Sequence, residues 1–342
     1  MVNIGHMSYI NALPAITMRI YLTIIFVITT LSTKAQKNFS VKTDSSIVRT
    51  EFYPGGKEVK ETINDKDLVY YKFYRNNGNV ATSTATYDKS GRRIGLAKEY
   101  TDNGKLLYTI NHDKGTWTVA NKASYPFYDL QAKMKKRADS LVIEMYGKRF
   151  LEDHAIWSVD GSYIYNENES GNWTDNLKQK PNKFLFRYDV KFDKNHGYDD
   201  LMEFELDAKG KFIPSVSEQI FGFEKIDKKQ NQGFQLSFDN ALRIAKQNGL
   251  IENDSTKAMP LLKWEGFNKP TLYNGQFRFY VIIKTKTVKN LNPNGRSNVT
   301  DKYDVYSFNP WTGQFLEKKK MKSIRSWQEH SGSSSGLIPD DM

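Results

Sequence analysis

The chain has 342 residues, 50 Lys and Arg against 39 Asp and Glu, a formal net charge of +11, 13% aromatic residues and no cysteine. That length supports real hydrophobic cores, and the aromatic content sets the chain apart from disordered sequences. The missing cysteines exclude disulfide scaffolds, zinc fingers, iron–sulfur clusters and thiol catalysis.

The first feature in chain order is an apolar run over residues 20–31, flanked by Arg19 and by Ser32-Thr33-Lys34-Ala35. It is shorter than the roughly 20 residues a membrane span needs. Thr33 and Ala35 fit the −3 and −1 positions of a signal-peptidase site before Gln36. Residues 18–35 therefore read as a signal peptide, and 1–17 as an extension upstream of a second start at Met18. An uncleaved anchor or a buried helix is the alternative. No cysteine follows the run, so a lipid anchor is excluded. The Lys-Ala-Gln ending resembles signal peptides of Bacteroidetes-type bacteria. The expectation is an exported protein, periplasmic or extracellular, with no transmembrane span after cleavage. Losing Arg19 and Lys34 lowers the charge excess from +11 to +9.

Residues 36–122 read as short strands with turns at a regular beat. Phe52-Tyr53-Pro54-Gly55-Gly56-Lys57 is echoed by Phe73-Tyr74-Arg75-Asn76-Asn77-Gly78-Asn79 and by Glu99-Tyr100-Thr101-Asp102-Asn103-Gly104-Lys105. Gly78, Gly91 and Gly104 stand 13 residues apart, the length of one strand plus one turn. The Tyr-x-x-Asn-Gly-Lys pattern over about 50–117 resembles the MORN-variant repeats of bacterial envelope proteins, some of them antitoxin-like. An ordinary β-meander is the alternative. Both readings imply an antiparallel hairpin-repeat sheet that serves as scaffold or binding surface.

Residues 125–230 open with a helix, since Leu130, Met134, Ala138, Leu141, Val142 and Met145 recur at helical spacing. A strand around Trp157 follows, then one in which Phe184, Phe186, Tyr188, Val190 and Phe192 share a face, then one through Met202, Phe204 and Leu206. Residues 234–325 repeat that order: a helix capped by Ser237, Trp264, alternation at Phe277, Phe279, Val281 and Ile283, and a turn at Gly313. The predicted fold is α+β, an N-terminal hairpin-repeat sheet followed by two α-β-β-β units with a helix packed on each sheet. Residues 326–342 read as a flexible tail.

The segment at about 235–320 resembles the PepSY domain family, through Ser-Phe-Asp-x-Ala-Leu-x-x-Ala at 237–245 and Phe-Asn-Pro-x-Thr-Gly-x-Phe at 308–315. Asn309 stands where that family places an acid. The resemblance implies inhibition or binding rather than catalysis.

Chemistry is sparse. His6 lies in the extension, and His112, His154, His196 and His330 are scattered without metal-ligand spacing. Gly332-Ser333-Ser334-Ser335-Gly336 satisfies Gly-x-Ser-x-Gly but lacks the strand and helix that pattern requires. No catalytic, metal-binding or cofactor-binding residue is assigned. Lys318, Lys319, Lys320 and Lys322 are the candidate anion contacts, and Lys133, Lys135, Lys136 and Arg137 form a second basic cluster; a solvated face is the alternative for both. Export disfavours specific nucleic-acid binding. The sequence thus reads as a non-enzymatic exported cell-envelope protein that binds another protein or an anionic surface polymer. The alternative is a peptidase inhibitor or propeptide-like regulator acting through the tandem C-terminal units.

Overall fold

The computed structural model describes residues 38–76, 78–193, 198–213, 222, 233–265, 275–291, 297–328 and 331–341. The expected signal peptide, His196 and His330 lie outside them. The chain divides into two units: residues up to Arg92 with Tyr100–Lys105, and Arg93–Glu99 with residues from Leu106 onward.

Strand dominates, at 51% against 15% helix, in three antiparallel sheets. This overturns the expected α+β chain of two helix-on-sheet units. The described residues hold three α-helices, α1 (Tyr128–Tyr146), α2 (Lys148–Asp153) and α3 (Phe238–Gln247). The physical reason is strand length. The longest strand of the third sheet has 16 residues, about 50 Å, while the ten residues of α3 span about 15 Å. So short a helix cannot roof such a sheet.

The first sheet has eight strands, each neighbouring the next in chain order: β1 (Phe39–Lys42), β2 (Ser46–Tyr53), β3 (Gly56–Ile63), β4 (Leu68–Arg75) and β5 (Ser83–Tyr87), all in the first unit, then β6 (Arg93–Tyr100), β7 (Leu106–Asn111) and β8 (Thr116–Val119). Tyr53 faces Gly56 across a two-residue turn. A β-carbon on Gly56 would lie 2.2 Å from the Tyr74 carbonyl oxygen, so only glycine permits this close approach of β3 to β4. In the next turns Gly91 and Gly104 both adopt φ +80°, a left-handed conformation. Ala85 is the one buried apolar residue of the unit among the described residues.

The second unit has the core. Its second sheet runs β11 (Ser170–Asn172), β10 (Tyr163–Tyr165), β12 (Lys183–Lys191), β13 (Tyr198–Asp207) and β14 (Phe212–Ile213), with β9 (Ala155–Trp157) also on β12. Phe184, Phe186, Tyr188 and Val190 on β12, and Phe192 just past its end, are fully buried. Helix α1 is fastened over this sheet by Lys135, whose Nζ donates to both oxygens of Asp139 (2.7 and 2.6 Å) and lies 4.9 Å from the Trp157 ring. The Tyr188 hydroxyl donates to the same Asp139 at 2.8 Å.

The third sheet runs β15 (Met259–Glu265), β16 (Gln276–Leu291), β17 (Ser297–Phe308), β18 (Phe315–Gln328) and β19 (Ser331–Ser334), with β20 (Ile338–Pro339) on β18. Strands β19 and β20 thus occupy the region expected as a tail from residue 326. Ser237 caps α3 by accepting from the Asn240 amide at 3.3 Å.

Aromatic rings join helices to the third sheet. Tyr146 stacks on Phe150 (4.4 Å) and on Trp311 (5.5 Å), and Phe234 closes the cluster at 4.6 Å from Trp311 and 5.9 Å from Phe277. Phe150 is completely buried there. Truncation to alanine, Phe150→Ala, is expected to cost about 3–5 kcal/mol of stability, read as a lowered urea midpoint for the second unit.

Candidate functional site

One face of the first unit forms a trough. Register places Glu58 opposite Phe73, Lys60 opposite Tyr71, Thr62 opposite Val69, Tyr71 opposite Ala85 and Val69 opposite Tyr87, so these side chains share a face. With Asp67, Asp88, Lys89 and Gly91 from the flanking turns, most of them line a space of about 640 Å³. That volume lies within the usual range for ligand sites. The small Ala85, next to both tyrosines, leaves the sheet low between the rings.

Internal contacts hold the walls. Tyr71 meets Tyr87 edge-on, with centroids 6.2 Å apart. The Tyr71 hydroxyl donates to Glu58 Oε1 at 3.0 Å, and Lys60 Nζ pairs with Glu58 Oε2 at 3.1 Å. Both carboxylate oxygens of Glu58 are therefore engaged. At the rim, Asp88 Oδ1 accepts from the Ser90 and Arg92 amides at 2.9 and 3.0 Å. Partial burial would raise the Asp88 carboxyl, but hydrogen bonds from Ser90 and Arg92 outweigh it and hold it below the ordinary carboxylate value. The trough thus offers apolar ring surface with fixed charges at its edge, a surface suited to binding.

The lysines singled out in the sequence lie on β18. Lys318, Lys320 and Lys322 share one face and Lys319 points to the other. Lys318 Nζ pairs with Asp304 at 2.9 Å and lies 5.0 Å from the Tyr306 ring. Lys319 pairs with Glu317 at 2.7 Å, and Lys322 donates to the Asp340 carbonyl at 3.1 Å. Lys320 is exposed. The helix cluster is divided as well: Lys135 is tucked against Trp157, Arg137 pairs with Glu144 at 2.7 Å, and Lys133 and Lys136 face solvent.

The described residues contain no group of three or more His, Asp or Glu side chains able to hold a metal ion. Ser334, central in the Gly-x-Ser-x-Gly match, is exposed in β19. His112 lies 3.9 Å from Asp160, which also pairs with Arg93 at 2.6 Å. His154 is a buried fastener: its Nε2 accepts from the Phe234 amide at 2.9 Å and its Nδ1 faces the Lys191 carbonyl at 3.2 Å. Its sequence neighbourhood left it among the scattered histidines and did not reveal this role, because its partners are 37 and 80 residues away. No helix of the described residues is long and apolar enough to cross a membrane.

No protein-family model matches the chain, and no curated protein or solved structure is detectably similar to it.

Burial lowers the His154 pKa below the ordinary 6.5, despite the opposing pull of the Lys191 carbonyl. The unfolded chain then takes up the proton first as pH falls. The contribution of His154 is complete above about pH 6.5 and declines below it. Between pH 7.5 and 5.5 the urea midpoint of the wild type should drop more than that of His154→Gln; equal drops would place the pH sensitivity elsewhere.

Proposed function

We propose that this protein is an exported, non-enzymatic binding protein whose first unit receives a protein partner on its open sheet. One observation carries the reading: strands β1 to β5, the first five of an eight-stranded sheet, bury only Ala85 among their described apolar residues, whereas Ala97, Ile110 and Trp117 are buried on the last three strands. An antiparallel sheet ordinarily covers at least one face with other structure. Here one face presents the Tyr71–Tyr87 trough, and the other presents Tyr70, 41% exposed. Strand β1 adds an edge with Phe39 and Val41 about half exposed, and an edge strand can accept an added strand from a partner. Protein is preferred to an anionic polymer at this face because Glu58, Asp67 and Asp88 outnumber Lys60 and Lys89 around the trough. Export rests on the apolar run and its cleavage pattern, and the binding role also accords with the envelope-protein resemblance of the repeats.

A photo-crosslinking residue at Val69 in the full chain should give one defined adduct in cells. The same residue at Lys136 should give none, and Tyr71→Ala with Tyr87→Ala should abolish the Val69 adduct. Equal labelling from Val69 and Lys136, or no adduct from Val69, would overturn the proposal. N-terminal sequencing of the protein recovered outside the cytoplasm should begin at Gln36.

A further inference from the structure

Past β15 the third sheet extends as a ribbon of β16, β17 and β18, with β19 and β20 along the outer edge of β18. Strand β15 pairs with β16 only as far as Ile282, and beyond it β16, β17 and β18 continue together to Leu291, Ser297 and Trp327. Residues 284–291, 297–304 and 317–328 carry nine Lys and Arg against three Asp and Glu, an excess of +6 out of +11 for the whole chain.

On the face bearing Lys286, Lys302, Lys318, Lys320 and Lys322, Asp304 holds Lys318, and Asp340 holds Lys302 at 3.1 Å and, through its carbonyl, Lys322, while Lys286 and Lys320 are exposed. On the other face, register places Lys289, Val299 and Arg325 in one row across the strands. Ser297 and Trp327 pair in the next row outward. Lys289 is exposed and pairs with no described residue, and Trp327 is 46% exposed. Asp301, 4% exposed, sits beneath and accepts from Thr287 Oγ1 at 2.5 Å and Arg325 Nη2 at 2.8 Å, with Lys284 Nζ at 3.8 Å. The acids on this face are Asp301 and Glu317, the latter taken by Lys319.

Asp301 acts as an anchor. The Thr287 hydrogen bond, with that from Arg325, keeps its carboxyl below the ordinary value despite burial, so it stays ionised and holds Arg325 in one orientation. An immobilised guanidinium loses less entropy when it binds an anion, and its unused N–H groups remain a fork for a carboxylate. Lys289 stands two strand spacings away, about 10 Å, and Trp327 two residues further along β18, about 7 Å. Two cations at that separation beside a bare indole match a chain of rings with regularly placed negative charges.

We infer that this face of the ribbon binds an acidic polysaccharide, its carboxylates on Lys289 and Arg325 and a sugar ring against Trp327. The ring's C–H face packs on the indole while the charges pair across the row. This surface is independent of the trough on the first unit, and its failure leaves that reading untouched.

The test is titration of the full chain with polygalacturonate oligomers, neutral dextran and an oligothymidylate at about 50 mM salt. Polygalacturonate should bind and dextran should not. Lys289→Glu should weaken binding about tenfold or more, and Trp327→Ala should weaken it at least several-fold with the salt dependence retained, as loss of a stacking surface requires. Both residues are exposed, so folding is expected to survive, with circular dichroism as the check. No binding of polygalacturonate, unchanged binding by both variants, or tighter binding of the oligothymidylate would each overturn the inference. Self-association of Lys289→Glu with polymer binding unchanged would likewise reduce Lys289 to a guard on an open strand edge.

Discussion

The second unit depends on one aromatic cluster. Tyr146 and Phe150, from the end of α1 and from α2, meet Phe277 of β16, Phe234 from the approach to α3, and Trp311 from the turn between β17 and β18. Four separate stretches of chain are therefore fixed at one point without any covalent link. Buried rings of this size contribute about 1.5–3 kcal/mol each through desolvation, with a further increment from edge and stacking geometry. The buried His154 tightens the same region by holding the Phe234 amide. In a chain without cysteine, this cluster holds those stretches together by packing alone.

The first unit is built on a different principle. Its strands are stabilised by ladders between chain neighbours and by cross-strand pairs such as Tyr71 with Tyr87 and Lys57 with Tyr74. Such a sheet exposes apolar surface on both sides, which a globular core would have covered. The molecule so combines a densely packed unit with an open one. Their surfaces differ in kind: tyrosines and mixed charges on the first, and a lysine-rich ribbon on the second.

The parts of this fold visible in the sequence are those governed by short-range period. Alternation at Phe184–Phe192 and at Phe277–Ile283 identified buried strand faces, because side chains on a strand repeat every two residues. Ser237 marked a helix start because its side chain acts within one turn. The trough was not visible: Tyr71 and Tyr87 are 16 residues apart and meet only through the β4–β5 register. Leu-Val-Tyr-Tyr-Lys-Phe-Tyr-Arg of β4 is apolar on both sides, a pattern of strands buried on both faces, yet here it is half wet. The ribbon escaped for the opposite reason. Lys-Thr-Lys-Thr-Val-Lys-Asn is polar except for Val288 and carries no core signal, so β16 appeared to end near Ile283. Pairing of Lys318 with Asp304 joins residues on facing strands, which composition alone does not connect.

The strands of the first unit pair only with their sequence neighbours, and that local wiring bears on how such a chain can vary. Inserting or deleting one hairpin leaves every other pairing unchanged, since no strand relies on a partner from a distant part of the unit. The width of the exposed face is therefore a quantity that inheritance can adjust in steps of two strands, each about 10 Å across. A packed core offers no such increment, because each added ring must fit all of its neighbours at once. The open sheet is in this sense a ruler, and its span can follow the size of what it touches while the aromatic cluster stays fixed.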